Sequence, residues 1–208
     1  TVKVVEAGDG VGGTWFWNRY PGARCDVHSL EYSYQFSEEL QQEWSWSEKY
    51  APQPEILDYA NHVADRFDLR RDIQFGTRII SMALQASSRW IITTHSEEKF
   101  EAQFCIMATG CLSKFNIPKF EGLENFTGEV LHTGDWPKEE VDFEGKNVGI
   151  IGTGSSAIQA IPLIADKAKS LTVFQRTASY SIPAHNAETD KKYEESVKTD
   201  YSEFRRSN

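Results

Sequence analysis

The stretch Asn147-Val148-Gly149-Ile150-Ile151-Gly152-Thr153-Gly154-Ser155-Ser156-Ala157 decides the fold. Its first five residues read as a buried β-strand, and the run from Ile158 to Ala168 reads as a helix. Between them lies Gly-x-Gly-x-x-Ala. Gly152 permits a tight turn, Gly154 lets the backbone approach a pyrophosphate, and Ala157 is small enough for the helix to pack on the strand. The helix then aims its free N–H groups and positive end at the anion. A glycine turn by itself carries no such meaning. Strand, turn and helix in this order point to dinucleotide binding, with Gly152, Thr153, Gly154, Ser155, Ser156 and Gln159 as expected contacts.

Downstream, Leu171-Thr172-Val173-Phe174 reads as the second strand of the same unit, followed by Gln175-Arg176-Thr177. An NAD-preferring site carries an acid at this place, whereas an arginine pairs with the 2′-phosphate of NADP. Arg176 is therefore expected to select NADP, with Thr177 beside it as a further expected contact.

Upstream, Thr1 to Ala7 reads as a short strand ending in an acid, Glu6. In this kind of fold an acid at the end of the second strand accepts hydrogen bonds from a ribose, about 20 residues after a glycine-rich turn. No such turn precedes Glu6. The chain is accordingly expected to be an internal piece of a longer protein, without the first strand, glycine turn and first helix of that unit. Glycines at 8, 10, 12 and 13 then allow close backbone approach, and Thr14 to Gly22 carries four aromatics. These either roof the core or wall a flat aromatic ligand.

From Pro52 to Leu69 a helix is expected, with Ile56, Ala60, Val63 and Phe67 on one face. Three β-type runs follow, Arg78 to Leu84, Arg89 to Thr94 and Lys99 to Met107, suited to a small antiparallel sheet. The third ends in Ala108-Thr109-Gly110, which either approaches a phosphate or adenosine closely or is a plain turn. Cys111 to Gly145 reads as a surface linker between two nucleotide units. Lys191 to Arg206 places Tyr193, Val197, Tyr201 and Phe204 at helical spacing, an amphipathic helix expected to fray, with its packing partner past Asn208.

Composition narrows the class. Of 208 residues, 39% are hydrophobic and 25% charged, ordinary for a globular protein, and the net charge of −9 argues against a broad nucleic-acid or acidic-membrane surface. Cys25, Cys105 and Cys111 are odd in number and lack metal spacing, and the five histidines are scattered, so neither a disulfide framework nor a metal site is expected. No apolar run approaches the roughly 20 residues needed to span a bilayer. A cytoplasmic setting is the expectation, although a targeting segment could precede Thr1.

One pattern is opaque to physics alone. Phe126-x-Gly128-x-x-x-His132-x-x-x-Trp136-Pro137 is only a loop with aromatic anchors and one histidine. It resembles the fingerprint of type I Baeyer–Villiger monooxygenases, FAD enzymes that use NADPH and dioxygen to insert oxygen beside a ketone carbonyl. Gly10 to Trp15, Tyr20 to Asp26, Ala108 to Gly110 and Phe174 to Thr177 are similar to that family's motifs in the same order.

The resemblance implies an α/β fold of two dinucleotide-binding, Rossmann-like domains, both incomplete here, with the small antiparallel sheet inserted in the first. The FAD-binding domain and linker would cover 1–136, the first part of the NADP-binding domain 137–186, and the start of a helical insertion 187–208. It implies FAD and NADP as cofactors, and a small-molecule ketone and dioxygen as partners, without nucleic acid or membrane. Glu6, Gly12, Gly13, Thr14, Trp15, Arg24, Cys25, Tyr32 and Ala108 would lie along FAD. Asp26 would sit near the reactive edge of the flavin and orient an arginine found beyond Asn208. His132 would act with it in the catalytic set, at the hinge between domains and not in proton transfer. NADPH would reduce the flavin, and a ketone would become an ester or lactone. A flavin monooxygenase oxidising nitrogen or sulfur is the alternative within the class; an NADP-binding module without catalysis is the alternative outside it. A flavin disulfide reductase lacks support, since no Cys-x4-Cys pair is present. The 208-residue polypeptide alone is expected to be inactive.

Overall fold

The structure, a computed structural model, describes residues 2–207. The chain opens with strand β1 (Val4–Val5), the single helical turn α1 (Thr14–Trp17), α2 (Glu38–Glu43) and α3 (Gln53–Arg66). Strands β2 (Ile73–Gln74), β3 (Ile79–Leu84), β4 (Trp90–Thr94) and β5 (Lys99–Ala102) follow. After a long connection come β6 (Asn147–Ile151), α4 (Ser155–Ala165), β7 (Ser170–Phe174), α5 (Lys191–Thr199) and α6 (Tyr201–Ser207). The result is a mixed α/β structure with a small antiparallel sheet, β3-β4-β5, and two parallel pairs, β1-β2 and β6-β7.

Local chemistry explains the element ends. Pro52 stands at the N-cap of α3 with a second proline in its first turn, where the missing N–H costs no helical hydrogen bond. Ser37 caps α2 by accepting from the Leu40 N–H at 3.2 Å, and Asp190 caps α5 by accepting from Lys192 and Tyr193. The buried residues of α3 are Gln53, Ile56, Tyr59, Val63 and Ala64. The helix is thus turned slightly from the expected face, so that Tyr59 rather than Ala60 points inward.

Two cores hold the chain. The larger joins Cys25, Leu30, Leu40, Trp46, Ile56, Tyr59 and Val63 to Val197 and Tyr201. The smaller gathers Phe143, Ala160 and Ile164, with Tyr20, Leu131, Trp136, Val148, Ile150 and Leu171 packed against them. In β6, Val148 and Ile150 alternate inward, and α4 covers that face.

Four expectations change. The strand predicted over Thr1 to Ala7 is regular only at Val4–Val5, against Ile73–Gln74, with the Glu6 N–H continuing the contact by donating to the Gln74 carbonyl at 3.0 Å; Thr1 lies outside the described residues. The run Lys99 to Met107 pairs only as far as Ala102; Phe104 and Ile106 are exposed and join no strand among the described residues, because β character needs a neighbour to become a ladder. The linker does not stay on the surface: from Leu131 to Phe143 its apolar side chains enter the smaller core. The C-terminal amphipathic run breaks into two helices at Asp200, and its partner is the N-terminal half of the chain. Val197 and Tyr201 are buried there, the Tyr201 hydroxyl donates to the Leu30 carbonyl at 3.2 Å, and Arg205 donates to the Glu31 and Ser33 carbonyls. Burying such side chains contributes about 1.5–3 kcal/mol each, which offsets the weak helical pattern.

Candidate functional site

The first candidate site is a cleft of about 630 Å³ between the glycine loop, the Glu31–Tyr34 segment and α3. Gly12 and Gly13 form its rim. Gly12 has φ +117°, and a Cβ there would lie 2.6 Å from Leu57 Cδ1, so only glycine lets the loop press against α3. Gly13 has φ +52° and open space where a side chain would be. Phe16 fills the space over Gly8 and Gly10. Thr14 and Trp15 begin α1 and line the cleft with Tyr32.

The wall is tied together by hydrogen bonds that sequence reasoning did not foresee. The Trp15 indole N–H donates to the Tyr32 hydroxyl at 3.0 Å, the rings meeting edge to face. The Gln53 amide donates to the Trp15 carbonyl, and the Tyr34 N–H donates to the Tyr59 hydroxyl at 3.0 Å. Burial pushes the Tyr59 hydroxyl up, so it stays neutral as an acceptor and donor on the cleft floor. Near the loop's start, the Gly8 N–H donates to Glu6 Oε1 at 2.7 Å, which leaves the second carboxylate oxygen of Glu6 for another donor. Gln53 and Tyr59 carried no signal of their own in the sequence beyond their place on a helix.

Arg24, Cys25, Asp26 and Ala108 do not line this cleft. The Arg24 guanidinium donates to Glu48 Oε2 at 2.7 Å and to the Tyr50 carbonyl at 3.0 Å, and Asn186 also donates to Glu48. Cys25 faces the larger core; burial raises its thiol, which suits packing and not ligation. Any contact of Cys25 with a cofactor would therefore fall to its backbone, since its side chain is in the core. Asp26 is exposed on the next turn, and Ala108 is exposed in the unpaired stretch after β5.

The second candidate site is the turn between β6 and α4. Gly152 has φ +104°, and its N–H donates to the Phe174 carbonyl at 2.9 Å, which ties the turn to the end of β7. Gln175 Nε2 donates to Thr153 Oγ1 at 2.7 Å, drawing the Gln175-Arg176-Thr177 segment beside the turn. Arg176 and Thr177 are exposed there. No side chain caps α4, and a Cβ placed on Gly152 or Gly154 would meet nothing within 4 Å. The first turn of this 11-residue helix therefore has no side-chain cap at its positive end, with open space beside the two glycines. This arrangement can hold a phosphate group. Gln159, one turn further on, is engaged elsewhere: its side chain bonds Tyr20 and Arg24.

His132 lies apart from both sites. Its ring packs on Phe115 with centroids 4.9 Å apart, and its Nδ1 accepts from the Gly134 N–H at 3.0 Å. Nearby, Lys138 pairs with Asp9 at 3.1 Å, joining the connection to the glycine loop. Among the described residues there is no cluster of metal-ligating side chains and no helix long and apolar enough to cross a membrane. Cys25, Cys105 and Cys111 are free.

Comparison with known proteins identifies the family and the fold. The family described as pyridine nucleotide-disulphide oxidoreductase matches residues 26–204. A Baeyer–Villiger monooxygenase of Pseudooceanicola batsensis is 46% identical over 190 residues, covering 91% of this chain and 35% of its own length. The structure of an oxidized steroid monooxygenase bound to NADP superposes with a TM-score of 0.94 at 57% identity, over 99% of this chain and 40% of that one. The OTEMO complex with FAD and NADP superposes with a TM-score of 0.90 at 42% identity, over 97% of this chain and 39% of that one. The chain therefore spans well under half the length of each. A match over most of its residues nevertheless decides kinship: this chain belongs to the pyridine nucleotide-disulphide oxidoreductase family, beside monooxygenases of the Baeyer–Villiger type.

Proposed function

We propose that the protein carrying this chain is an FAD- and NADPH-dependent Baeyer–Villiger monooxygenase, acting on a small-molecule ketone with dioxygen in the cytoplasm. In this reading residues 1–136 belong to an FAD-binding domain and its linker, 137–186 to an NADP-binding domain, and 187–208 to the start of a helical insertion. Both nucleotide domains are Rossmann-like and incomplete within these residues.

The observation that carries the reading is the open turn at Gly152–Ser155 with Arg176 beside it. The α4 N–H groups bind the NADP pyrophosphate, and Arg176 pairs with the 2′-phosphate. The aromatic cleft suits the flat ring of a flavin: Trp15 and Tyr32, bonded to each other, hold one wall in place, and Gly12 and Gly13 admit the ligand close to the backbone. Glu6 offers its free carboxylate oxygen to a ribose hydroxyl. When bound, FAD supplies the redox chemistry and the activation of dioxygen. The chain's own residues bind, orient and shield. Asp26, exposed, is available to hold a cation near the flavin edge, and His132, packed on Phe115, supports the connection between domains.

A product assay on the complete protein with NADPH tests this. A ketone should yield an ester or lactone; an N-oxide or sulfoxide from an amine or sulfide, with no ester or lactone from any ketone, would overturn it.

A further inference from the structure

Helix α4 does not stand free behind its glycine turn. Gly22 lies against it with φ +77°, and a Cβ at Gly22 would fall 2.3 Å from the Gln159 carbonyl oxygen. Backbone meets backbone there, and no side chain fits between. The Gln159 side chain then closes the contact. Its Oε1 accepts from the Tyr20 hydroxyl at 2.8 Å and from the Arg24 N–H at 3.4 Å, while its Nε2 donates to the Arg24 carbonyl at 3.1 Å. Engaging both the donor and the acceptor of one backbone residue fixes orientation as well as distance, and it needs a carboxamide: a carboxylate lacks the donor, and an aliphatic chain lacks both.

The two ends of this clamp lead to the two candidate sites. Gln159 rides on the helix whose first turn faces the glycine turn. Tyr20 to Arg24 continues from α1, which carries Trp15 on the cleft wall, and its far end is pinned by the Arg24–Glu48 bond at 2.7 Å. We propose that Gln159 is a positioning residue: it locks the register between the turn-bearing helix α4 and the Tyr20–Arg24 loop, so that a nucleotide seated at the turn is sensed in the aromatic cleft. The proposal rests on the assignment of the two sites given above, and it requires no contact between Gln159 and either ligand.

The test uses the complete, flavin-loaded protein. NADP+ is titrated while the visible absorbance of the flavin is recorded, and NADP+ affinity is measured separately by calorimetry. The wild type should bind NADP+ and show a shift in the flavin spectrum. Gln159→Leu should keep NADP+ affinity and lose the spectral shift. A full shift in this variant overturns the proposal, and so does loss of affinity together with the shift, which would make Gln159 a ligand contact. Should Gln159→Leu fail to fold, Tyr20→Phe removes one hydroxyl from the same amide and is read in the same way: a reduced shift at unchanged affinity supports the clamp, and an undiminished shift overturns it. A wild type that binds no flavin or no NADP+ would instead remove the two-site assignment itself, and the inference with it.

Discussion

The Trp15 indole N–H donates to the Tyr32 hydroxyl at 3.0 Å, within the wall of the aromatic cleft. A hydrogen bond of this kind contributes about 0.5–1.5 kcal/mol, so Tyr32→Phe in the complete protein should weaken flavin binding by roughly two- to tenfold. Flavin release measured by fluorescence decides it; unchanged affinity would mean that Trp15 needs no anchor.

The two glycines of the second site make opposite demands. Gly152 sits at φ +104°, where an L-residue is strained, so Gly152→Ala should lower stability by about 1–2 kcal/mol. Gly154 has φ −73°, and its open space is where a phosphate would lie, so Gly154→Ala should change stability by less than about 0.5 kcal/mol. Its NADPH affinity should nevertheless fall by about tenfold or more. Thermal melts paired with NADPH titrations separate the two, and equal melting losses in both variants would contradict the backbone argument.

Arg176 stands exposed beside Thr153 and the turn. Removing a charge-assisted contact costs about 1.5–3 kcal/mol. Arg176→Ala should therefore weaken NADPH binding selectively and leave NADH nearly unchanged. Equal weakening of both would exclude a 2′-phosphate role.

Partial burial raises the Glu48 carboxyl, but the hydrogen bonds from Arg24 and Asn186 outweigh it and hold its pKa below the ordinary 4.5. A carboxyl depressed in the folded state contributes stability that is complete above its unfolded pKa and is lost as pH falls through the lower folded value. Melting temperature should thus drop with acidification below about pH 4.5, and Glu48→Gln should flatten that part of the profile. An identical acid limb in the variant would show that the Arg24–Glu48–Asn186 link contributes nothing there.

Tyr201 fills the larger core from the C-terminal helices and is 7% exposed. Its replacement by alanine should cost about 3–5 kcal/mol, a large part of the stability of an ordinary domain. Chemical denaturation measures this directly. A loss under 1 kcal/mol, the range of a surface change, would detach α6 from that core.

The parts of this protein legible in the sequence are those whose causes lie within a few residues. The turn from Ile151 to Ser155 needs glycine at φ +104°, a strand before it and a helix after it, and all three are written in consecutive residues. The antiparallel sheet and α3 follow for the same reason, from alternation, helical period and flanking prolines. What only the tertiary structure decided spans long separations in the chain. Tyr20 meets Gln159 139 positions away, and Tyr201 bonds Leu30 across 171. These contacts turned Gln159 toward a loop, drew Cys25 into the core and gave the C-terminal helices a partner. Conversely, Phe104 to Met107 has strand character but no neighbour to pair with among the described residues, and remains irregular. Local preference selects conformations worth fractions of a kcal/mol per residue, whereas burial and paired hydrogen bonds contribute more, and those depend on which distant residues arrive.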